Sequence, residues 1–215
     1  RRAGGRDVAR ELAQALRMRY ARASVPTPRD AEPKPKQWYL DFEEHIRAGE
    51  AGDTGVAILS RLSLQNPERM ELPWSECAWR PRLAVHAVAP FGRGRLHIFN
   101  SHIDPHAATA GQLAQHEAIL ARAEGAAAGE AVVLLGDFNT LTSESRTATR
   151  RLLESHGYAS PFPTGVATWR AGLYRLHADW IFARGARFVR HGVARPLGVS
   201  DHWPVWAEIE LDEQA

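Results

Sequence analysis

The sequence predicts a single mixed α/β domain in which helices cover the faces of β-sheet. Three observations carry that expectation. Runs with helical spacing alternate irregularly with apolar runs short enough to be strands. Two of those runs are joined by a short glycine turn, which marks a hairpin rather than a strict β–helix–β series. The 215 residues show no internal repeat, low-complexity tract or convincing linker, so one domain over 1–215 accommodates them.

From the start of the chain, residues 6–22 repeat Val8, Leu12 and Leu16 at helical spacing, with Met18 off that face. Asp7 stands where a carboxylate favours the helix dipole, and the whole stretch is expected to be one amphipathic helix. Residues 23–37 hold four prolines and little apolar material, which predicts a surface loop. Residues 38–50 fit no single pattern. The apolar run at 55–60 predicts a buried strand, and 61–81 a polar excursion punctuated by proline. Residues 82–90 and 95–103 are strands joined through Phe91-Gly92-Arg93-Gly94. A helix follows over 109–124, with Leu113, His116, Ile119, Leu120 and Ala123 on related faces. Residues 131–139 run apolar and then turn polar, as in a buried strand whose end carries chemistry. A second such helix covers 143–156 and stops at Gly157. Strands over 178–185, 186–194 and 204–211 close the chain.

Bulk properties narrow the function classes. Hydrophobic residues at 44% and charged residues at 24% are the balance of an ordinary globular protein. No run approaches the roughly 18 apolar residues of a membrane helix. Cys77 is the only cysteine, so no internal disulfide forms and the compartment stays open. The net charge of +2 is nearly balanced, and Lys34 and Lys36 are the only lysines, so the Lys-rich patch common in duplex-DNA binders is absent.

Four polar clusters sit at strand ends: Ser101-His102-Ile103-Asp104, Gly136-Asp137-Phe138-Asn139, His177-Ala178-Asp179 and Ser200-Asp201-His202. Taken singly each has a plain explanation. Asp137 and Asn139 could close a turn through their own backbone, His102 could be structural, and Ser200-Asp201-His202 could cap a loop. Together they supply what phosphodiester hydrolysis needs: oxygen ligands for a hard cation, a positioned water, and donors for charge developing on phosphate oxygens.

The segments Gly55–Arg61, Ile98–Asp104, Leu134–Thr140, Ala178–Gly185 and Ser200–Ile209 resemble, in order, the motif series of the endonuclease/exonuclease/phosphatase superfamily. That resemblance covers nearly the whole chain. It implies an α+β fold, a four-layer α/β/β/α sandwich of two mainly antiparallel sheets with helices outside. It also implies a divalent-metal-dependent phosphoesterase using Mg²⁺ or Mn²⁺. Motif by motif, Asp137 resembles the general base and Asn139 the residue that positions water or a phosphate oxygen. His202 resembles the phosphate donor, Asp179 its carboxylate partner, His102 a second donor and Asp201 a ligand of the cation. The substrate implied is a phosphoester, nucleic acid among the options, and the chain is expected to act as a monomer.

Two features of the family's pattern are missing: a first strand bearing Asn, and a Leu-Gln-Glu-type motif whose Glu binds metal. The helix at 6–22 resembles the one that follows that Glu, so the chain is expected to begin just after it and, in isolation, to have little activity. A non-catalytic binding module on the same scaffold is the alternative. Lipid or small-molecule phosphoesters are alternative substrates. Trp169, Arg170, Tyr174 and Arg175 fall in an expected rim loop, where they could stack a base or simply pack beneath the loop. No His-Glu-x-x-His or Gly-x-Ser-x-Gly occurs, which removes support for a zinc or serine hydrolase.

Overall fold

The structure is a computed structural model and describes residues 6–26, 53–75, 81–92, 94–126, 129–195, 198 and 200–212. Residues 27–50, most of the expected loop and the ambiguous stretch after it, lie outside the described residues, as does Cys77.

Helix α1 (Val8–Leu16) begins at Asp7, whose carboxylate accepts the backbone N–H of Arg10. It ends earlier than the periodicity predicted. Arg17 takes a left-handed conformation (φ 53°) as C-cap, and Met18 N–H returns to Ala13 O at 2.8 Å. The chain then extends as β1 (Arg19–Pro26), antiparallel to β2 (Asp53–Ser60). Alternation explains the change: Ala21 and Ala23 point inward while Tyr20 and Arg22 are exposed, a period of two that overrides the helical reading. Residues 23–26 of the expected loop therefore belong to β1.

The polar excursion also contains a strand, β3 (Gln65–Glu71), paired with β4 (Leu83–Phe91) across an irregular register. Its exposed face and Pro67 suit an edge position, where a missing N–H costs no ladder bond. β4 and β5 (Gly94–His102) form the expected hairpin, closed by the pair Phe91 and Gly94. Helix α2 (Thr109–Ala123), strand β6 (Ala131–Asp137) and helix α3 (Ser143–Ser155) follow as expected. β6 lies parallel to β5, and β9 (Asp179–Arg184) completes the order β3-β4-β5-β6-β9. Beyond Gly185, β10 (Ala186–Val193) and β11 (Val205–Leu211) make a separate antiparallel pair beside β9.

The five-stranded sheet separates two cores by strand alternation. Ala84, Phe99, Val132, Leu134, Trp180 and Phe182 face Ile119, Leu120 and Ala123 of α2 and Leu153 of α3. From the opposite face, Leu83, Val85 and Ala87 of β4 meet Ala21, Ala23 and Ile58 of the β1–β2 pair. With α1 packed on β1 and β2, the order of layers is helix, sheet, sheet, helix. The fold is thus the expected α+β sandwich, built on a mixed five-stranded sheet and, among the described residues, three separate two-stranded pairs.

Candidate active site

Strand register assembles most of the site. His102 ends β5 opposite Asp137 at the end of β6, and Asp137 in turn lies opposite Asp179 at the start of β9. Cross-strand partners share a face, so three side chains from three motifs stand in one row at one end of the sheet. Gly136 makes the row possible. A Cβ there, at φ 134°, would lie 2.1 Å from Ser101 O, so only glycine lets β5 and β6 approach this closely before the chain turns out at Asp137. His202 arrives from the segment before β11. Its Nδ1 lies 2.9 Å from Asp179 Oδ2, and its Nε2 lies 3.8 Å from Asp137 Oδ2. His102 Nε2 is 3.7 Å from the same Asp137 oxygen.

Solvent reaches this group. The side chains of His102 and His202 are 37% and 35% exposed, against 20% for Asp137 and 15% for Asp179. The two histidines therefore flank Asp137 at the surface, with Asp179 beneath His202. Burial and the neighbouring Asp179 charge push Asp137 up to about 7, while His202, the Asn139 amide and Arg82 pull the other way. At His202 burial disfavours the charged ring. The hydrogen bond and negative charge of Asp179, reinforced by Asp137 and Asp201, outweigh it and push the ring up to about 9. A proton acceptor and a charged donor consequently sit side by side.

The other two expected residues play different parts in the geometry. Asn139 is buried and left-handed (φ 47°), donating its N–H to Asp137 Oδ1 at 3.0 Å and its Nδ2 to Ile103 O at 2.8 Å. It ties the turn after β6 to the end of β5. Asp201 is exposed, and its Oδ2 accepts Trp169 Nε1–H at 2.9 Å. Among the described residues the one group of three potential metal ligands is Asp137, Asp179 and His202, with donor atoms within 4.8 Å of one another. Asp201 is outside that group. His177, from the third cluster, stacks on Trp180 at 3.7 Å in the core instead of joining the row.

Sequence reasoning missed several supports. The buried Thr168 hydroxyl accepts the N–H groups of Ala178 and Asp179, both at 2.9 Å, and fixes the start of β9. Gln112 donates to both Asp104 O and Asn139 O at 3.0 Å, which binds α2 to the two turns of the site. The buried Asp104 accepts from Ser75 and pairs with the buried Arg82 at 3.4 Å. The expected rim loop is a small hairpin of β7 (Trp169–Ala171) and β8 (Tyr174–Leu176).

Solved structures of the same fold include an endonuclease/exonuclease/phosphatase from Beutenbergia cavernae, 16% identical with a TM-score of 0.69. The alignment covers 96% of this chain but 58% of that one, so the chain spans less than two thirds of that relative's length. The human Nocturnin catalytic domain with bound sulfate is 17% identical (TM-score 0.64), over 95% of this chain and 76% of that one. Sphingomyelinase C from Streptomyces griseocarneus is 20% identical (TM-score 0.54), over 72% and 68%. At these identities the likeness is one of fold. A search of curated proteins gives no match. The model of the Endonuclease/Exonuclease/phosphatase family, however, matches residues 6–202, from helix α1 through the row of strand ends to His202, and the chain belongs to that family.

Proposed function

We propose that the chain is a divalent-metal-dependent phosphoester hydrolase of the phosphodiesterase or nuclease type. The observation that supports this reading best is the row His102–Asp137–Asp179 with His202 closing on both aspartates. Family membership supports phosphoester chemistry in general. The fold shared with Nocturnin and sphingomyelinase C does not by itself fix the substrate.

The donor set fits a hard divalent cation. Burial and then the neighbouring Asp179 charge raise Asp137, and a cation close by would offset that crowding of carboxylates. Asp201 would hold it, with water or substrate oxygens completing the shell, which leaves Asp137 free to take a proton and Asp179 on His202. When bound, the cation offsets negative charge on the phosphate oxygens. In the chain's own chemistry, Asp137 takes a proton from a water whose oxygen forms the new bond to phosphorus. The bond from phosphorus to the leaving oxygen breaks. His202, kept protonated by Asp179, donates to a phosphate oxygen, and His102 on the other flank of Asp137 supplies a second donor. Asn139 holds Asp137 at the correct height through its backbone N–H and supports the water's position.

Hydrolysis of bis-p-nitrophenyl phosphate by the intact protein with Mg²⁺ or Mn²⁺ tests this, with chelation as the control. Asp137→Asn and His202→Ala should each lower kcat by about 100-fold or more with an unchanged circular dichroism spectrum. Wild-type rates in both variants would remove the proposed roles.

A further inference from the structure

The hairpin β7–β8 does not fit the role of packing beneath a rim. Its register pairs Trp169 with Leu176, Arg170 with Arg175 and Ala171 with Tyr174, leaving Gly172 and Leu173 as a two-residue turn. Gly172 has φ 56°, which such a tight turn demands. Leu173 is 97% exposed, the most exposed large apolar side chain among the described residues, and Tyr174 beside it is 55% exposed. Cross-strand partners share a face, so Arg170 and Arg175 stand together on one side, one residue back from Ala171 and Tyr174. Both are exposed, and among the described residues neither has a carboxylate partner, unlike Arg187 and Arg190, which pair with Glu210 and Glu208.

The hairpin is stapled to the site. Trp169 Nε1 donates to Asp201 Oδ2 and Arg170 N–H to Asp201 O, both at 2.9 Å. Trp203 N–H reaches Thr168 O at 2.6 Å, and Trp169 bridges to His202. Whatever the tip touches is therefore held beside His202.

We propose that this hairpin is an interfacial anchor that docks the site on an anionic lipid surface, with Leu173 and Tyr174 entering the headgroup region and Arg170 and Arg175 meeting lipid phosphates. The proposal rests on the phosphoester-hydrolase reading for why a phosphate-bearing surface is the partner. Three features favour lipid over a nucleic-acid strand. The outermost side chain is aliphatic, with no ring to stack on a base and no group to read one. The tip's backbone is closed by the Ala171–Tyr174 pair, so it enters a poorly hydrated layer with few unpaired polar groups. An aliphatic tip, a tyrosine at its side and a cationic pair just behind match the depth profile of an interface. No helix of the described residues is long and apolar enough to cross a membrane.

Cosedimentation of the intact protein with vesicles tests it, in chelator so that no turnover intervenes. One set contains phosphatidylcholine alone and the other phosphatidylcholine mixed with phosphatidylglycerol. The wild type should bind the mixed vesicles, more weakly as salt rises. Leu173→Asp should lower the apparent partition coefficient at least about tenfold. The double variant Arg170→Gln/Arg175→Gln should lose the preference for the anionic set. Leu173 is exposed, so a matching thermal melt shows that the variant still folds. No wild-type binding, or equal binding by Leu173→Asp, overturns the proposal. So does retention of a single-stranded oligonucleotide in place of vesicles, which would assign the hairpin to nucleic acid. Vesicle binding without hydrolysis of bis-p-nitrophenyl phosphate defeats only the catalytic reading, and hydrolysis without vesicle binding defeats only this one.

Discussion

Asp179 decides the charge state of the candidate site. Its carboxylate lies against His202 Nδ1 at 2.9 Å and opposite Asp137 across the β6–β9 ladder, so it acts on both at once. It favours the imidazolium and disfavours ionised Asp137, moving the two groups in the same direction for opposite reasons. The sign for His202 follows from linkage. Its folded value of about 9 exceeds the ordinary 6.5, so its contribution to stability is complete below 6.5 and is lost as pH rises through 9. Asp179→Asn keeps the shape and removes the charge. Nitrogen-15 NMR titration of the metal-free protein should then find His202 well below 9, because burial still opposes protonation and only the Asp137 and Asp201 charges remain to favour it. A ring that still titrates near 9 would show that Asp179 is not what holds the proton.

Among the elements, the β5–β6 pair carries the site, and Gly136 is its narrowest point. Gly136→Ala places a Cβ against Ser101 O on backbone, which cannot move without disturbing the ladder that aligns His102 with Asp137. We expect about 1–3 kcal/mol of destabilisation and a fall in kcat; a urea midpoint and turnover equal to wild type would contradict that. The sequence made this pair legible, because a long apolar run ending in Gly-Asp-Phe-Asn has few other uses. α2 and α3 were also legible, since 3.6-residue periodicity survives in them without competition. β1 was misread because the small Ala21 and Ala23 supply its inward face, so no strong apolar alternation marked the strand past the break at Arg17. β3 was missed because an edge strand buries little and so shows no apolar alternation. β7 and β8 span three residues each, too short for any period. Of the site, the motif residues were readable, but the register that aligns His102, Asp137 and Asp179 was not. That alignment depends on pairings between segments distant in the chain, as do the supports from Thr168 and Gln112.

For the whole molecule, buried neutral histidines set the response to acid. His116, on the buried face of α2, meets Phe138 edge to face at 4.6 Å, and burial lowers it to about 3. His177, stacked on Trp180, is lowered to about 4, chiefly by burial and then by nearby arginine charge. His86, inside β4, is lowered to about 4 by burial and by His97, whose Nδ1 is 3.2 Å away. In the unfolded chain each takes a proton near 6.5. Between 6.5 and about 4 the unfolded state therefore binds protons that the fold excludes, and stability falls with pH by up to about 1.4 kcal/mol per unit for each ring. Asp137 works in the opposite sense over much of that interval. Its folded value of about 7 lies above the ordinary 3.8, so the folded state holds a proton there that the unfolded state has released. Net uptake on unfolding should thus be about two protons in the wild type and about three in Asp137→Asn, from the slope of unfolding free energy against pH. For a fold worth about 5–15 kcal/mol, that is enough to move the urea midpoint down visibly between about pH 6.5 and about pH 5. A midpoint that stays level across this range would mean that these rings are hydrated or already charged in the folded protein, and a slope unchanged by Asp137→Asn would mean that folded Asp137 holds no proton there.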